Sequence, residues 1–129
     1  MKEANIIKKF RDKLPGHWTS IENSVTSGVP DYVASRSGQL CWIEFKRLYN
    51  CDIIVRPLQR NWMIREVRHN PNVWVAWWDD GPVIIRADLL LKLNGVEKNG
   101  KIYYDVVDNA TCVTGWDNVD KHLFGDQLV

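Results

Sequence analysis

Residues 22–46 read ENSVTSGVPDYVASRSGQLCWIEFK, and this stretch decides how the fold of the chain is interpreted. Its second half is rich in aromatic and branched residues and follows the Ser37-Gly38 turn, which predicts a β-strand over residues 40–47. Side chains two positions apart on a strand share a face. Glu44 and Lys46 therefore point the same way, while the alternate residues can enter a core. An acid and an amine lie side by side at the end of this predicted strand.

The first half of the stretch supplies a second carboxylate. Gly28 can adopt the positive φ of a turn, and Pro30 fixes φ just after it, so an extended segment is expected to begin at Asp31. Two carboxylates that converge from neighbouring strands form the hard oxygen site that Mg²⁺ prefers. A lysine beside such a metal can orient the attacking water and offset charge on a pentacoordinate phosphate. Asp31, Glu44 and Lys46 are therefore the candidate catalytic residues.

This arrangement resembles a known family, the PD-(D/E)xK nucleases. The order Gly28-Val29-Pro30-Asp31, then Glu44-Phe45-Lys46, then Gln59-x-x-Trp62 at a helix start is similar to the VRR-NUC branch and to archaeal-type Holliday junction resolvases. The resemblance covers about residues 1–90. It implies an α/β fold with a restriction-endonuclease-like core in the order α-β-β-β-α-β and a mixed central sheet flanked by helices. A Glu-x-Lys on a strand, taken alone, is more often a solvated ion pair.

The resemblance also implies roles for the site residues. Asp31 and Glu44, with the main-chain carbonyl of Phe45, would hold one or two Mg²⁺ ions, for which Mn²⁺ would substitute. Lys46 would position the hydrolytic water for in-line attack on a phosphodiester. Gln59 would orient Lys46 or a DNA phosphate.

Further residues are secondary candidates. The resemblance also implies an additional acid near the metal, for which we expect Glu22, as an outer ligand, in preference to Glu3 on the first predicted helix. The simpler interpretation of Glu3 is an acid favoured by the helix dipole, and that of Glu22 is an exposed acid at a strand end. Arg47, Arg56 and Arg60 are candidate contacts to DNA phosphates, with ordinary solvation as the alternative.

The composition fits one domain, residues 1–129, with a substantial core, because 45% of the residues are hydrophobic and seven are tryptophans. The net charge of +1 is not that of a strongly basic nucleic-acid binder. Residues 1–13 nevertheless hold five Lys/Arg against two acids and residues 44–70 hold six against three, whereas residues 87–129 hold four against seven. The basic half carries the motif, as a phosphate-binding face requires.

Cysteine spacing and hydropathy argue against other classes of protein. Cys41, Cys51 and Cys112 form no Cys-x-x-Cys pair and have no histidine at metal-ligand spacing, which favours reduced thiols over a structural zinc. No apolar run approaches the roughly 20 residues of a membrane span, and the charged amphipathic N-terminus is unlike a secretory signal. We expect an intracellular protein with no membrane partner and no nucleotide cofactor.

The remaining patterns predict the other elements. Residues 49–55 are interpreted as a link between the strand that carries Glu44 and the next helix. Leu58 and Trp62 are expected to face the sheet as an i,i+4 pair. Residues 91–129 are expected to form a small C-terminal β/α extension. The other predicted elements are helices over residues 2–14, 57–69, 87–93 and 117–124, and strands over residues 18–22, 31–34, 72–78, 83–86 and 102–107.

Together these expectations describe a metal-dependent endonuclease that hydrolyses DNA phosphodiester bonds. The resemblance implies selectivity for branched DNA, with the Holliday junction first, and a homodimer that cuts by paired nicks. The alternative is a non-catalytic DNA-binding or partner-binding subunit with the same fold.

Overall fold

The computed structural model describes residues 1–21, 28–107 and 109–125. Glu22, the preferred candidate for the additional acid, lies outside the described residues. The elements in chain order are α1 (Glu3–Lys13), β1 (His17–Ser20), β2 (Tyr32–Arg36), β3 (Gln39–Phe45), β4 (Asp52–Val55), α2 (Pro57–Glu66), β5 (Val73–Trp78), β6 (Pro82–Arg86), α3 (Ala87–Leu90), β7 (Val96–Lys98), β8 (Lys101–Asp105), β9 (Val113–Thr114) and α4 (Trp116–Phe124).

The central sheet is mixed, as the fold-class prediction requires. Its six strands lie in the order β1-β2-β3-β5-β6-β9. Strands β3 and β5 pair in parallel, from Trp42 opposite Val73 to Phe45 opposite Ala76, and the other neighbours are antiparallel. The chain from β3 to β5 includes α2, because two parallel strands need a crossover connection. The sheet is therefore built around the strand that carries the Glu-x-Lys motif.

Alternate residues of β3 and β5 enter two separate cores. Cys41, Ile43 and Phe45 pack with Phe10 of α1 and Phe124 of α4. On the other side, the odd-numbered residues of β5 pack with Met63 of α2 and with the three-stranded sheet. Strands buried on both faces have continuous apolar runs, which explains why residues 72–78 are so hydrophobic. The helices flank both sides of the sheet, as expected.

A second sheet, β4-β8-β7, differs from the sequence-based expectation. The segment 49–55, which the sequence suggests is a link, contains a strand: Asp52–Val55 pair antiparallel with β8, with Val55 opposite Ile102. No local pattern reveals this pairing, because β4 is short and its partner lies far along the chain. Strands β7 and β8 form a hairpin, with Lys98 opposite Lys101 at its turn. The C-terminal region is thus hydrogen-bonded directly to a strand of the motif-bearing half.

Helix α2 is rotated relative to the prediction. Its buried residues are Gln59 and Met63, while Leu58 is 44% exposed. Trp62 is half-buried and meets Trp42 edge-on, with ring centroids 5.4 Å apart. The predicted orientation of Leu58 toward the sheet is wrong because the i,i+4 stripe that faces the sheet begins one residue later. The buried position in the first turn is therefore occupied by a polar side chain, that of Gln59.

Smaller differences concern element ends. Strand β1 ends at Ser20, and the pair Val113–Thr114 adds a short edge strand, β9, that the sequence does not predict. The three cysteines are free thiols. No helix within the described part of the chain is long and apolar enough to cross a membrane.

Candidate active site

The end of β3 carries the acid and the amine together, as the two-residue spacing predicts. Glu44 is 3% exposed, and its Oε2 lies 3.5 Å from Nζ of Lys46, the first residue after the strand. The backbone of Lys46 is fixed by its N–H, which donates to the Ala76 carbonyl of β5 at 2.8 Å. The position of the amine beside the acid is therefore set by the parallel sheet.

Gln59 joins these two groups from the first turn of α2. Its Nε2 donates to Glu44 Oε2 at 2.9 Å, and its Oε1 accepts from Lys46 Nζ at 2.8 Å and from the Arg56 backbone N–H at 3.0 Å. The amide has one orientation that serves both partners, because only its oxygen can accept from the ammonium and only its nitrogen can donate to the carboxylate. Gln59 is 4% exposed, so these bonds lie in a water-poor environment and fix the lysine and the acid relative to each other.

Asp31 lies immediately before β2 and beside the end of β3. Its Oδ2 accepts a hydrogen bond from the Phe45 backbone N–H at 3.2 Å. Burial raises the pKa of Asp31, against the lowering effects of the Phe45 N–H and of the Lys46 charge. Asp31 also lies within electrostatic range of Glu44, whose pKa it raises. The structure therefore brings Asp31, Glu44 and Lys46 together.

The loop that delivers Asp31 is seated against α2 by a glycine. Gly28 has φ of 71°, in the left-handed region that favours glycine. A Cβ at this position would lie 2.2 Å from the Leu58 carbonyl oxygen, closer than any real contact. The approach of this loop to the first turn of α2 therefore requires glycine, and it brings the segment before Asp31 beside Gln59.

Glu44 is electrostatically unusual. Desolvation is the main cause that raises its pKa, to about 8; the Lys46 charge opposes this, and Asp31 and Glu3 add to it. Its second oxygen, Oε1, is buried and has no hydrogen-bond partner within residues 1–21, 28–107 and 109–125. Leaving a buried carboxylate oxygen unsatisfied costs roughly 1–3 kcal/mol or more. Such a cost is typical of a group that is completed by a ligand.

Of the two candidates for the additional acid, the structure brings Glu3 to the site. Glu3 is the first residue of α1. Although the residue is exposed as a whole, desolvation of its carboxyl raises its pKa, the Lys46 charge lowers it and the Asp31 charge raises it further. The N-terminus of α1 therefore lies within electrostatic range of the site. Glu22 stays a prediction, because it lies outside the described residues.

The donor set fits a hydrated magnesium ion rather than a closed metal site. The described part of the chain has no group of three or more metal-ligating side chains. Two converging carboxylates, one with a free buried oxygen, suit Mg²⁺, which keeps several positions for water and phosphate oxygens. The Phe45 carbonyl as a ligand stays a prediction; the neighbouring Phe45 N–H is the group that binds Asp31.

The three candidate arginines are divided between two places. Arg47 and Arg56 line a cavity of about 210 Å³ together with Lys46 and Glu3. Arg60 does not join them: its Nε donates to the Tyr104 hydroxyl at 3.2 Å, which ties α2 to β8. A larger cavity, of about 670 Å³, lies between α1 and β1 and has none of the site residues in its lining. The smaller cavity adjoins the site through Lys46, while Asp31, Glu44 and Gln59 are not part of its lining.

Sequence reasoning missed two polar residues of this cavity, Tyr49 and Lys101, and the apolar Ile54. Tyr49 lies in the segment interpreted as a link. Lys101 lies in the C-terminal region, outside the family resemblance. The register between β4 and β8 is the feature that would have identified Lys101, and it has no local signal in the sequence.

Comparison with solved structures shows a shared fold. The chain is similar to Hjc, a Holliday junction resolvase from the archaeal hyperthermophile Archaeoglobus fulgidus, with a TM-score of 0.56 and 13% sequence identity over 80% of this chain and 84% of that chain. No protein-family model and no curated protein matches the sequence. At this identity the likeness concerns the fold alone. The chain thus has the mixed α/β, restriction-endonuclease-like fold that its sequence predicts.

Proposed function

We propose that the protein is a metal-dependent endonuclease that hydrolyses phosphodiester bonds in DNA. The observation that carries this proposal is the hydrogen-bonded set of Glu44, Gln59 and Lys46 with Asp31 beside it. A buried carboxyl, a half-buried one beside it and an oriented ammonium match the groups needed for attack of water on a phosphodiester. The likeness of the fold to a nuclease supports the same reaction class.

A purely structural role accounts less well for this arrangement. A structural ion pair is stabilising only when its remaining lone pairs are satisfied, yet Glu44 Oε1 has no partner in the described part of the chain. A second carboxylate, Asp31, raises the pKa of Glu44 instead of relieving it. Strongly perturbed carboxyls that gather beside a lysine are typical of functional sites.

In the proposed mechanism, Asp31 and Glu44 would hold the metal, most simply Mg²⁺ with Mn²⁺ as a substitute. The bound ion would polarise the phosphate and make its water more acidic. Lys46 directs one N–H to Gln59 Oε1 and lies beside Glu44 Oε2, which leaves a third ammonium proton for the hydrolytic water or a phosphoryl oxygen. Gln59 restricts the rotamers of Lys46 and thereby keeps the ammonium in place during attack.

The proposed substrate is branched DNA, with the Holliday junction first, cut by a homodimer. The support is the resolvase activity named for the similar structure, Hjc. Recognition of backbone shape needs no base contacts, since phosphate contacts position a protein on DNA without reading its sequence.

The test is cleavage of labelled DNA by the wild-type protein and the variants Glu44→Ala and Lys46→Ala. The panel comprises a four-way junction, a flap, a linear duplex and a single strand, each with Mg²⁺, Mn²⁺ or EDTA. Asp79→Ala is the matched control, because Asp79 is an exposed acid in the β5–β6 turn. Cleavage lost in EDTA and in both site variants, but kept in the control, is expected. Inactivity on every substrate with either metal, while DNA binding stays intact, would favour the non-catalytic alternative.

A further inference from the structure

The cavity beside the site gathers more positive charge than the proposed chemistry uses. Four cationic side chains line its volume of about 210 Å³: Lys46, Arg47, Arg56 and Lys101. Lys46 is engaged by Glu44 and Gln59. The other three form no salt bridge with any carboxylate in the part of the chain that the structure describes. Three cations without a salt bridge in this part of the chain therefore share one small concavity with a single acid, Glu3.

These cations come from three separate segments, which the two sheets bring together. Arg47 follows β3, Arg56 lies between β4 and α2, and Lys101 begins β8. The register that places Val55 opposite Ile102 brings Arg56 and Lys101 to the same end of the small sheet. The C-terminal region, acidic as a whole, thus contributes a lysine to the rim of the site.

One of the cations is held in position by an aromatic ring. The Arg47 guanidinium lies 5.2 Å from the centroid of the Tyr49 ring, within the range of a cation–π interaction. Tyr49 is in turn fixed by a pair of backbone hydrogen bonds with Asp52, at 2.8 and 2.9 Å. Arg47 is therefore restrained at the mouth of the cavity, although Tyr49 is 49% exposed.

A phosphate is the ligand that this cavity fits. Pockets for whole small molecules are usually about 300–1,000 Å³ and mostly apolar, whereas this one is smaller and rich in cations. Guanidinium groups bind phosphate oxygens through paired N–H donors, and lysine adds a point charge. Because Lys46 belongs both to the cavity and to the site, the bound phosphate would lie next to the one that is cleaved.

We propose that Arg47, Arg56 and Lys101 hold a backbone phosphate of the cleaved strand, adjacent to the scissile phosphate. This inference rests on the proposed nuclease function and assigns the C-terminal hairpin a part in binding substrate. Tyr49 is a positioning residue that acts through Arg47. Loss of a single phosphate contact weakens binding at low salt and reduces the salt dependence of the affinity, because fewer counterions are released.

The test compares Lys101→Met with Lys98→Met in the full chain. Lys98 is opposite Lys101 in the same hairpin but lies over the Tyr103 ring and not in the cavity. Binding of a labelled four-way junction is measured with Ca²⁺ in place of Mg²⁺ over a series of salt concentrations. Lys101→Met is expected to reduce the slope of log affinity against log salt by about 0.9, and Lys98→Met to leave it unchanged.

Cleavage kinetics then separate this inference from the proposed function. Because the contact is present in both the ground state and the transition state, Lys101→Met should raise KM several-fold with little change in kcat. A wild-type salt slope and wild-type KM in Lys101→Met, with matching thermal unfolding of both variants, would overturn the phosphate site while leaving the nuclease intact. If the wild-type protein binds the junction with a contribution from Lys101 but never cleaves it, the proposed nuclease function would be overturned and the phosphate site would stand.

Discussion

Gln59 Oε1 lies 2.8 Å from Lys46 Nζ, and the other end of the same amide donates to Glu44. One neutral side chain on a helix thus fixes the relative positions of an amine and an acid at the end of a strand. Gln59→Leu is expected to lower kcat about 10- to 100-fold, the usual cost of losing an outer-shell partner. Steady-state kinetics measure this loss. Asn61→Leu, at an exposed position of the same helix, is the control and should retain normal kcat.

Lys46→Met should remove the ammonium without a large change in volume. A decrease in kcat of about 10²–10⁴-fold is expected, the range of a positioned acid–base group. Most of the DNA affinity should persist, because Arg47, Arg56 and Lys101, the proposed phosphate contacts, are unchanged. Single-turnover cleavage together with a binding assay in Ca²⁺ separates the two effects. Equal losses of binding and cleavage would show that Lys46 only binds DNA.

The stability of the metal-free protein should depend on pH through Glu44. Its pKa is raised from 4.5 to about 8 in the folded state, so between these values the folded chain binds a proton that the unfolded chain has released. The free energy of unfolding therefore falls as pH rises through this window, by at most about 1.4 kcal/mol per pH unit from this group.

Glu44→Gln should reduce this pH dependence. Urea unfolding in EDTA measures the free energy of unfolding at several pH values from about 5 to about 8, the window set by the raised pKa of Glu44. The variant is expected to gain stability relative to wild type toward the alkaline end, since it has no charge to bury. Parallel profiles for the two proteins would contradict the raised pKa.

Gly28→Ala should destabilise the fold and displace the Asp31 loop. The new Cβ would lie 2.2 Å from the Leu58 carbonyl oxygen, in addition to a cost of about 1–2 kcal/mol for a left-handed φ. Gly38→Ala is the matched control, because Gly38 also has positive φ, 84°, but no atom lies within 4 Å of the position that its Cβ would take. The difference between the two free energies of unfolding isolates the contact. Equal values would show that the loop moves freely away from α2.

The predictable parts of the site are those encoded by local geometry. Period-two alternation in β3 places Glu44 and Lys46 on one face. The Gly28 and Pro30 pattern places Asp31 at the start of β2, the neighbouring strand in the sheet. For helix α2 the sequence predicts the extent better than the rotation, because the buried stripe begins at Gln59 and Leu58 is exposed. Hydrophobicity alone favours Leu58, since it does not register the hydrogen bonds that make a buried glutamine acceptable.

The parts that are not predictable depend on distant segments. Pairing of β4 with β8 has no signature in either segment, since a short strand is specified by its partner as much as by its own residues. Lys101 enters the cavity only through that pairing. The sequence alone favours an ordinary helix-start acid for Glu3, whereas its electrostatic coupling to Asp31 follows from how α1 packs on the sheet.

The pairing of β4 with β8 also determines when a newly synthesised chain can form its small sheet. A chain translated as far as residue 90 holds Asp31, Glu44, Lys46 and Gln59 but lacks β8, the strand that pairs with β4 in the small sheet, so the backbone of β4 is left exposed. Such a strand is a site of unwanted association, and contacts between distant segments form slowly. The small sheet can therefore close only after residues 101–105 have left the ribosome.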